Sequence, residues 1–136
     1  MRFYEVIVKS NGIDQNSGKE KVITERFILE AETFGDAENT IYGIMDTRDF
    51  EIVNINPKKW ECVLGEGESE VYFLAVIASL DIDEQTGKEK WFNRQIIIAS
   101  DTIEGAKTIA DDDVSKYITT AQLTKLQETK ITNYVK

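Results

Sequence analysis

Two short stretches of the sequence place basic side chains beside aromatic or apolar ones. KEKWFNR runs from Lys88 to Arg94, and KEKVITER, from Lys19 to Arg26, echoes it. Aromatic faces stack on bases and lysines follow phosphates, so this combination suits a strand-borne surface for single-stranded nucleic acid. The candidate binding residues are Lys19, Lys21, Arg26, Lys88, Lys90, Trp91 and Arg94.

The same residues also fit an ordinary solvated hairpin. Trp91 and Phe92 are neighbours, so they point to opposite faces of a strand, and at least one is expected in the core. The lysines alternate with Glu20 and Glu89, as in many exposed turns. Both interpretations stay open at this point.

Histidine is absent from the 136 residues. Without imidazole, the usual general base at neutral pH, the Ser-His and Cys-His nucleophile pairs and the zinc sites that need this ligand are excluded. The single cysteine, Cys62, cannot form an internal disulfide, and we expect it to be a small buried apolar residue. We therefore predict a protein that is not an enzyme and that needs no cofactor.

Two acidic stretches were candidates for a cation site. DIDEQTG at Asp81 to Gly87 resembles a calcium loop, but its glycine falls one place late and Phe92 stands where a bidentate glutamate is needed. ADDD at Ala110 to Asp113 could form a magnesium cluster. The simpler explanation is that Asp113 caps a turn starting at Val114 while the other carboxylates are solvated. We predict no metal site.

Composition points to a small acidic protein. Hydrophobic residues make up 41% of the chain, charged residues 30%, and the net charge is −9. This charge disfavours a non-specific hold on phosphate backbones unless the basic residues gather on one face. No apolar run approaches the ~20 residues that span a bilayer, and the N-terminus lacks the pattern of a signal peptide. We expect a cytoplasmic protein with no membrane partner.

An internal repeat organises the chain. A shift of 69 positions aligns the segment IDQNSGKEK with IDEQTGKEK, together with the residues on either side, without a gap. The aligned pairs include Phe3 with Tyr72, Asp14 with Asp83, Gly18 with Gly87, Ile28 with Ile97, Thr33 with Thr102 and Ala37 with Ala106. Such a match indicates a duplicated unit that buries its apolar face against its copy.

Each copy has a legible order of elements. Two strands rich in aromatic and β-branched residues flank the loop, and a helix follows, with Thr33 or Thr102 as its N-cap. Phe34, Ala37, Ile41, Ile44 and Met45 have helical spacing in the first copy. Extended segments close the copies at Phe50 to Asn56 and Thr129 to Val135. This order predicts an α+β fold of two pseudo-symmetric strand-strand-helix-strand repeats, mainly antiparallel, with helices packed on the sheet.

The predicted repeats cover residues 1–64 and 70–136, and we expect both to form one compact domain. LGEGESE between them has the composition of a linker. TTAQLTKLQ, from Thr119, predicts an extra short helix in the second repeat. Strands VYFLAVIA and QIIIA are apolar at successive positions, so both their faces are expected to be covered, by this extra helix in preference to another chain.

The repeated loop has a conformational explanation. In IDQNSGKEK and IDEQTGKEK, the side chains of Asp14 and Asp83 can accept bonds from the following backbone, and Gly18 and Gly87 can supply a left-handed residue. We expect both glycines at positive φ.

The opening MRFYEVIVK, the DEQTGKEK hairpin and the repeated element order resemble a domain-of-unknown-function family of small duplicated proteins found in Bacteroidetes and their phages. The resemblance spans nearly the whole chain. It implies a cytoplasmic protein of a bacterium or phage and brings no activity with it.

Two functions therefore stand. The first is a non-enzymatic, acidic binding or assembly module that acts through protein–protein contacts, either with a partner or by self-association. The alternative is a single-stranded nucleic-acid-binding protein that uses the paired basic-aromatic hairpins.

Overall fold

The computed structural model describes residues 1–46, 49–65 and 71–136. It shows a mixed α+β protein with mostly antiparallel sheets and two helices, which confirms the predicted class. The elements are β1 (Arg2–Ile13), β2 (Glu20–Ala31), α1 (Phe34–Met45), β3 (Phe50–Lys58), β4 (Trp60–Leu64), β5 (Tyr72–Ile82), β6 (Glu89–Ala99), α2 (Ile103–Ser115), β7 (Ala121–Glu128) and β8 (Asn133–Val135). Among the described residues, neither helix combines the length and apolar character that crossing a membrane requires.

The chain divides into two compact units, whose limits differ from the predicted repeats. The first contains Met1–Lys59 and Ile131–Lys136, and the second contains Trp60–Lys130. Local pattern could not show this division, because the first unit takes its last strand, β8, from a distant part of the chain. Residues 66–70 of the predicted linker lie outside the described part. That the repeats form one compact domain stays a prediction.

In the first unit the strand order is β3-β1-β2-β8. β1 is antiparallel to both β2 and β3, while β8 is parallel to β2. Alternation along β1 and β2 sends one set of side chains toward α1, because neighbouring strand residues face opposite ways. The buried core on that side consists of Tyr4, Val6, Val8, Phe27, Leu29, Ala31, Ala37, Ile41, Met45 and Ile55.

In the second unit the order is β4-β6-β5-β7. β5 is antiparallel to β6 and β7, and β4 is parallel to β6. Its core consists of Phe73, Ala75, Ile77, Ile96, Ile98, Ala106 and Ala110. Tyr72, Ala78 and Ile97 are also buried, as expected for a strand pair that is apolar on both faces.

The two hairpin loops have the predicted conformation. The carboxylates of Asp14 and Asp83 accept hydrogen bonds from backbone N–H groups two residues later, at 2.8 and 2.9 Å. Gly18 has φ +68° and Gly87 has φ +69°. The positive φ values confirm that glycine is needed there because the backbone is left-handed.

The threonine caps are confirmed as well. The hydroxyl of Thr33 accepts from the N–H of Asp36 at 3.1 Å, and that of Thr102 accepts from Gly105 at 3.0 Å. Not every apolar residue with helical spacing in α1 is buried, since Phe34 and Ile44 are exposed. Only one stripe of a helix can face a sheet, and Ala37, Ile41 and Met45 occupy it.

Asp113 is not the cap predicted from the sequence, because α2 continues past it to Ser115. The neighbouring carboxylates of Asp111 and Asp112 lie 2.9 and 3.2 Å from the ammonium groups of Lys107 and Lys116. These aspartates therefore stabilise α2, because i,i+4 ion pairs on an exposed helix surface favour the helix.

The extra helix predicted from Thr119 is wrong, because this segment forms β7. The register on β5 shifts between Val76 and Ile77, so the segment contains a bulge. Leu123 and Leu126 therefore both pack toward α2, although they are three positions apart and would otherwise point to opposite faces. The bulge thus gives these leucines the i, i+3 spacing that is also typical of a helix. Because the segment is a strand, no extra helix from Thr119 covers the second sheet.

The closing segments were assigned only in part. Phe50–Lys58 forms a strand as predicted, but in TKITNYV only Asn133–Val135 does so. The predicted repeat end also contains Trp60–Leu64, a strand that pairs with β6 of the second unit. β8 pairs in the same parallel manner with β2 of the first unit.

Candidate binding surfaces

The hairpin of the second unit divides its candidate residues between two faces. Phe92 lies opposite Ser79 and Arg94 opposite Ile77, on the face toward α2, whereas Trp91 lies on the other face. Trp91 is 50% exposed and Phe92 is 40% exposed. The expectation that at least one of them is core is wrong. Both precede the buried run at the far end of β6, where α2 covers the sheet.

The cationic side chains of this hairpin differ in the contacts that they make within the protein. The ammonium of Lys90 lies 5.6 Å from the Phe92 ring centroid, a distance at which a cation is attracted to the ring face. The guanidinium of Arg94 lies 5.3 Å from the Tyr117 ring centroid and 3.8 Å from the Glu61 carboxylate. Arg94 thus already has an aromatic and an acidic neighbour.

Tyr117 and Cys62 both lie near Glu61 and Asp113. Burial raises the pKa of the Tyr117 phenol, and the carboxylate of Asp113 adds to the shift while Arg94 opposes it. Burial likewise raises the pKa of Cys62, helped by Asp113 and Glu61. Both groups are therefore neutral near pH 7. Cys62 is half-buried on an edge strand and packs against the core of the second unit, so it is less buried than expected.

The first hairpin does not carry the same set of side chains. Counted from the shared loop, Val22 stands at the place of Trp91, Ile23 at that of Phe92 and Glu25 at that of Arg94. Lys19 and Lys21 are exposed, as are Lys88 and Lys90. The loop lysines therefore recur in both units, but the aromatic residues do not.

Arg26 lies on the face of the first sheet away from α1. Its guanidinium is 3.7 Å from the carboxylate of Glu5. The same face of the second unit carries Gln95 at the corresponding place. The two arginines of the predicted set thus occupy different faces of their sheets.

A groove lies between α1 and β3 in the first unit. It is lined by Phe34, Glu38 and Tyr42 of α1 and by the run Phe50–Ile55 of β3, and its volume is about 540 Å³. We call it the α1–β3 groove.

Large apolar side chains in this groove are exposed. Phe34 is 52% exposed, Tyr42 53% and Val53 48%. The rings of Tyr42 and Phe50 meet edge to face, with centroids 5.2 Å apart and planes at 62°. Aromatic anchors of this kind contribute strongly to protein recognition because they bury much apolar area with few rotatable bonds.

The groove is acidic and borders an open edge of the sheet. Among the described lining residues, the charged ones are Glu38 and Glu51. β3 ends the strand order and pairs with β1, and no other strand of the described chain adjoins its outer edge. The groove therefore combines exposed rings, carboxylates and a strand edge.

The corresponding helix of the second unit has different chemistry. Counted from the threonine cap, Ile103, Lys107 and Asp111 occupy the places of Phe34, Glu38 and Tyr42. Lys107 donates to Asp111 at 2.9 Å. The aromatic-acidic-aromatic stripe thus distinguishes α1 from α2.

Sequence reasoning missed this groove. The helical spacing includes Phe34 among the apolar residues of α1, but it does not single out Glu38 and Tyr42. The signal was present, because positions 34, 38 and 42 form an i, i+4, i+8 stripe beside the apolar stripe at 37, 41 and 45. Which stripe is buried depends on the tertiary position of β3.

No group of three or more cysteine or acidic side chains in the described ranges is arranged to hold a metal ion. The α1–β3 groove and the hairpin of the second unit are consequently the surfaces that merit a functional interpretation.

Comparison with known proteins places the chain in a family without assigning it an activity. A family model described as "Domain of unknown function (DUF4494)" matches residues 2–136. Searches of the curated proteins and of the solved structures found no match.

Proposed function

The chain belongs to the DUF4494 family, and because that description names no activity, we propose from its surfaces that it is a non-enzymatic binding or assembly module acting through protein–protein contacts. The observation that carries this proposal is the α1–β3 groove with its exposed aromatic rings. Exposed apolar patches bordered by polar groups are typical of protein interaction sites. The net charge of −9 favours a partner with a basic surface.

We further propose that the chain is a duplicated unit of the order strand-strand-helix-strand-strand with approximate two-fold symmetry. The shift of 69 carries the pair Phe3 and Glu30 onto Tyr72 and Ala99, which is also a register pair. It also carries the irregularity at Ile7 and Val8 onto the one at Val76 and Ile77. Matching registers, bulges, caps and loops support one ancestral unit.

The sequence resemblance supports two further proposals about origin. We propose that the protein comes from a bacterium of the Bacteroidetes or from one of their phages, and that it acts in the cytoplasm. In that setting a small acidic module would meet its partner inside the bacterial or infected cell.

Affinity capture from the native source tests the protein-binding proposal. The immobilised chain should retain a protein after nuclease treatment, and replacing Phe34 and Tyr42 together by serine should abolish the retention. Trp91→Ser is the matched control, since it removes an equally exposed aromatic residue in the other unit. Release of the captured material by nuclease, or equal retention by the groove variant, would contradict the proposal.

A second candidate function is single-stranded nucleic-acid binding at the hairpin of the second unit. The observation that favours it is the exposure of both Trp91 and Phe92, with Lys90 beside the latter ring. Exposed aromatic faces next to lysines suit stacking on bases and tracking of phosphates.

Titration of a labelled oligothymidine at low and moderate salt tests this candidate. Binding should weaken as salt rises, and Trp91→Ala should cost about 1–3 kcal/mol of affinity if the ring stacks on a base. Val22→Ala, at the corresponding place of the first hairpin, is the control. Absence of salt-sensitive binding would remove the candidate.

A further inference from the structure

We propose that the α1–β3 groove receives an extended peptide as an added strand on β3, with apolar side chains toward α1 and basic side chains on the opposite face, which carries Glu51. This inference rests on the proposed protein-binding function and names the class of partner: an extended, basic and apolar segment of another protein. Three features of the groove support it.

The first feature is the outer edge of β3. An edge strand offers unpaired backbone N–H and C=O groups, which an extended peptide can satisfy by adding a strand. β3 pairs with β1 along one side, and no strand of the described chain borders the other. Pro57 lies near the C-terminal end of β3 and has no N–H to donate, so the pairing run precedes it.

The second feature is the wall that α1 provides. Phe34 and Tyr42 are eight residues apart on the helix. At about 1.5 Å per residue their Cα atoms are separated by about 12 Å along the axis, the length of about four extended residues. Side chains that leave an added strand on this side would contact the two rings. Main-chain bonds to β3 would supply affinity, and these contacts would supply specificity.

The third feature is charge. Glu38 and Glu51 are the charged residues among the described lining, and the whole chain has a net charge of −9. A basic peptide is attracted to such a groove, whereas a second copy of the chain brings the same negative charge. The register shift opposite Ile7 and Val8 also bends β3, which disfavours the long flat pairing of two identical edges.

A fluorescein-labelled peptide of alternating lysine and valine, seven residues long, provides the probe. Its anisotropy is titrated with the full chain, and the same peptide with every backbone nitrogen methylated serves as comparator. Methylation leaves charge and side chains in place but removes the donors of strand pairing. We expect saturable binding of the first peptide and affinity about tenfold lower or worse for the second, because two or more hydrogen bonds are lost.

Two charge-reversed variants localise the binding. Glu51→Lys should weaken it about fivefold or more, whereas Glu84→Lys, the same charge change in the exposed loop of the second unit, should change it little. Thermal unfolding of each variant shows that it is folded. Equal binding of the N-methylated peptide, or equal effects of the two variants, would overturn the inference by showing only general charge attraction.

Two further results separate this inference from the proposed function. A dimer in sedimentation experiments that Tyr42→Ser dissociates would make a second copy the occupant and would overturn the peptide proposal. Failure of the lysine-valine peptide to bind, while Phe34 and Tyr42 remain necessary for capturing a protein partner, would overturn strand addition but leave the protein-binding function standing.

Discussion

At the scale of single residues, the loop glycines have a conformational role that a substitution can isolate. Gly18 and Gly87 have φ near +70°, and a Cβ atom added at either would meet no atom within 4 Å. Any cost of replacement therefore comes from backbone strain and not from crowding. Gly18→Val should lower the free energy of unfolding by about 1–2 kcal/mol in urea denaturation.

Gly18→Asn is the matched control for this prediction. Asparagine tolerates the left-handed region much better than a β-branched residue does, so this variant should lose less stability than Gly18→Val. Equal losses for the two variants would show that the glycine is needed for another reason.

Cys62 and Tyr117 make stability depend on pH in the alkaline range. The pKa of each is raised in the folded protein, chiefly by burial and also by the carboxylate of Asp113. The unfolded chain loses these protons first as pH rises, so it binds fewer protons than the folded chain there. Stability is therefore complete below the unfolded-state pKa values and falls as pH rises through them toward the folded-state values.

Urea unfolding measured from neutral to alkaline pH checks this sign. The decline should be smaller in a variant that combines Cys62→Ser with Tyr117→Phe, because both titrating groups are removed. The thiol should also react slowly with iodoacetamide at pH 7, since the thiolate is the nucleophile. An unchanged alkaline decline in the double variant would contradict the prediction.

At the scale of elements, the cap of α1 contributes to stability through an identified bond. The hydroxyl of Thr33 accepts the N–H of Asp36, one of the donors that a helix N-terminus leaves unpaired. Thr33→Ala should cost about 1 kcal/mol of unfolding free energy. Gly43→Ala in the same helix should instead stabilise by about 0.5–1 kcal/mol, because the added methyl group meets open space.

Circular dichroism of the two variants during thermal unfolding measures both effects on one helix. A lower midpoint for Gly43→Ala would show that the position is more confined than its surroundings indicate. An unchanged midpoint for Thr33→Ala would show that solvent replaces the cap without loss.

Local pattern predicted the elements whose stabilising contacts lie close in sequence. The two hairpins, their loops and the helix starts depend on alternation, on glycine and on a cap within a few residues, so the sequence indicates them directly. β7 was mistaken for a helix because a bulge gives Leu123 and Leu126 a helical spacing. β4 was missed because its partner β6 lies more than twenty residues further along the chain.

The candidate surfaces, too, could be predicted only where they depend on residues close in sequence. Alternation along β6 correctly separates Trp91 from Phe92, but it could not show that Arg94 lies beside Tyr117 and Glu61. The α1–β3 groove combines a helix stripe with a strand edge, and neither pattern indicates which strand will lie beside the helix. Tertiary position decides both cases.

At the scale of the whole molecule, the first unit is completed by a strand from a distant part of the chain. β8 joins the first unit from the C-terminus, where it is parallel to β2 over Phe27, Ile28 and Leu29. Ile131, just before it, is 3% exposed, and Val135 packs against the core of the first unit. The last residues of the chain therefore stabilise a unit that otherwise ends at Lys59.

Truncation after Lys130 should consequently destabilise the first unit. The loss of the Ile131 side chain alone removes about 1.5–3 kcal/mol of apolar burial, and the parallel pairing with β2 is lost with it. Hydrogen exchange read by mass spectrometry should show the larger loss of protection in peptides covering β2, with a smaller change in β5. Because β5 pairs with β6 and β7, which the truncation leaves intact, equal loss in β2 and β5 would contradict a local role for β8.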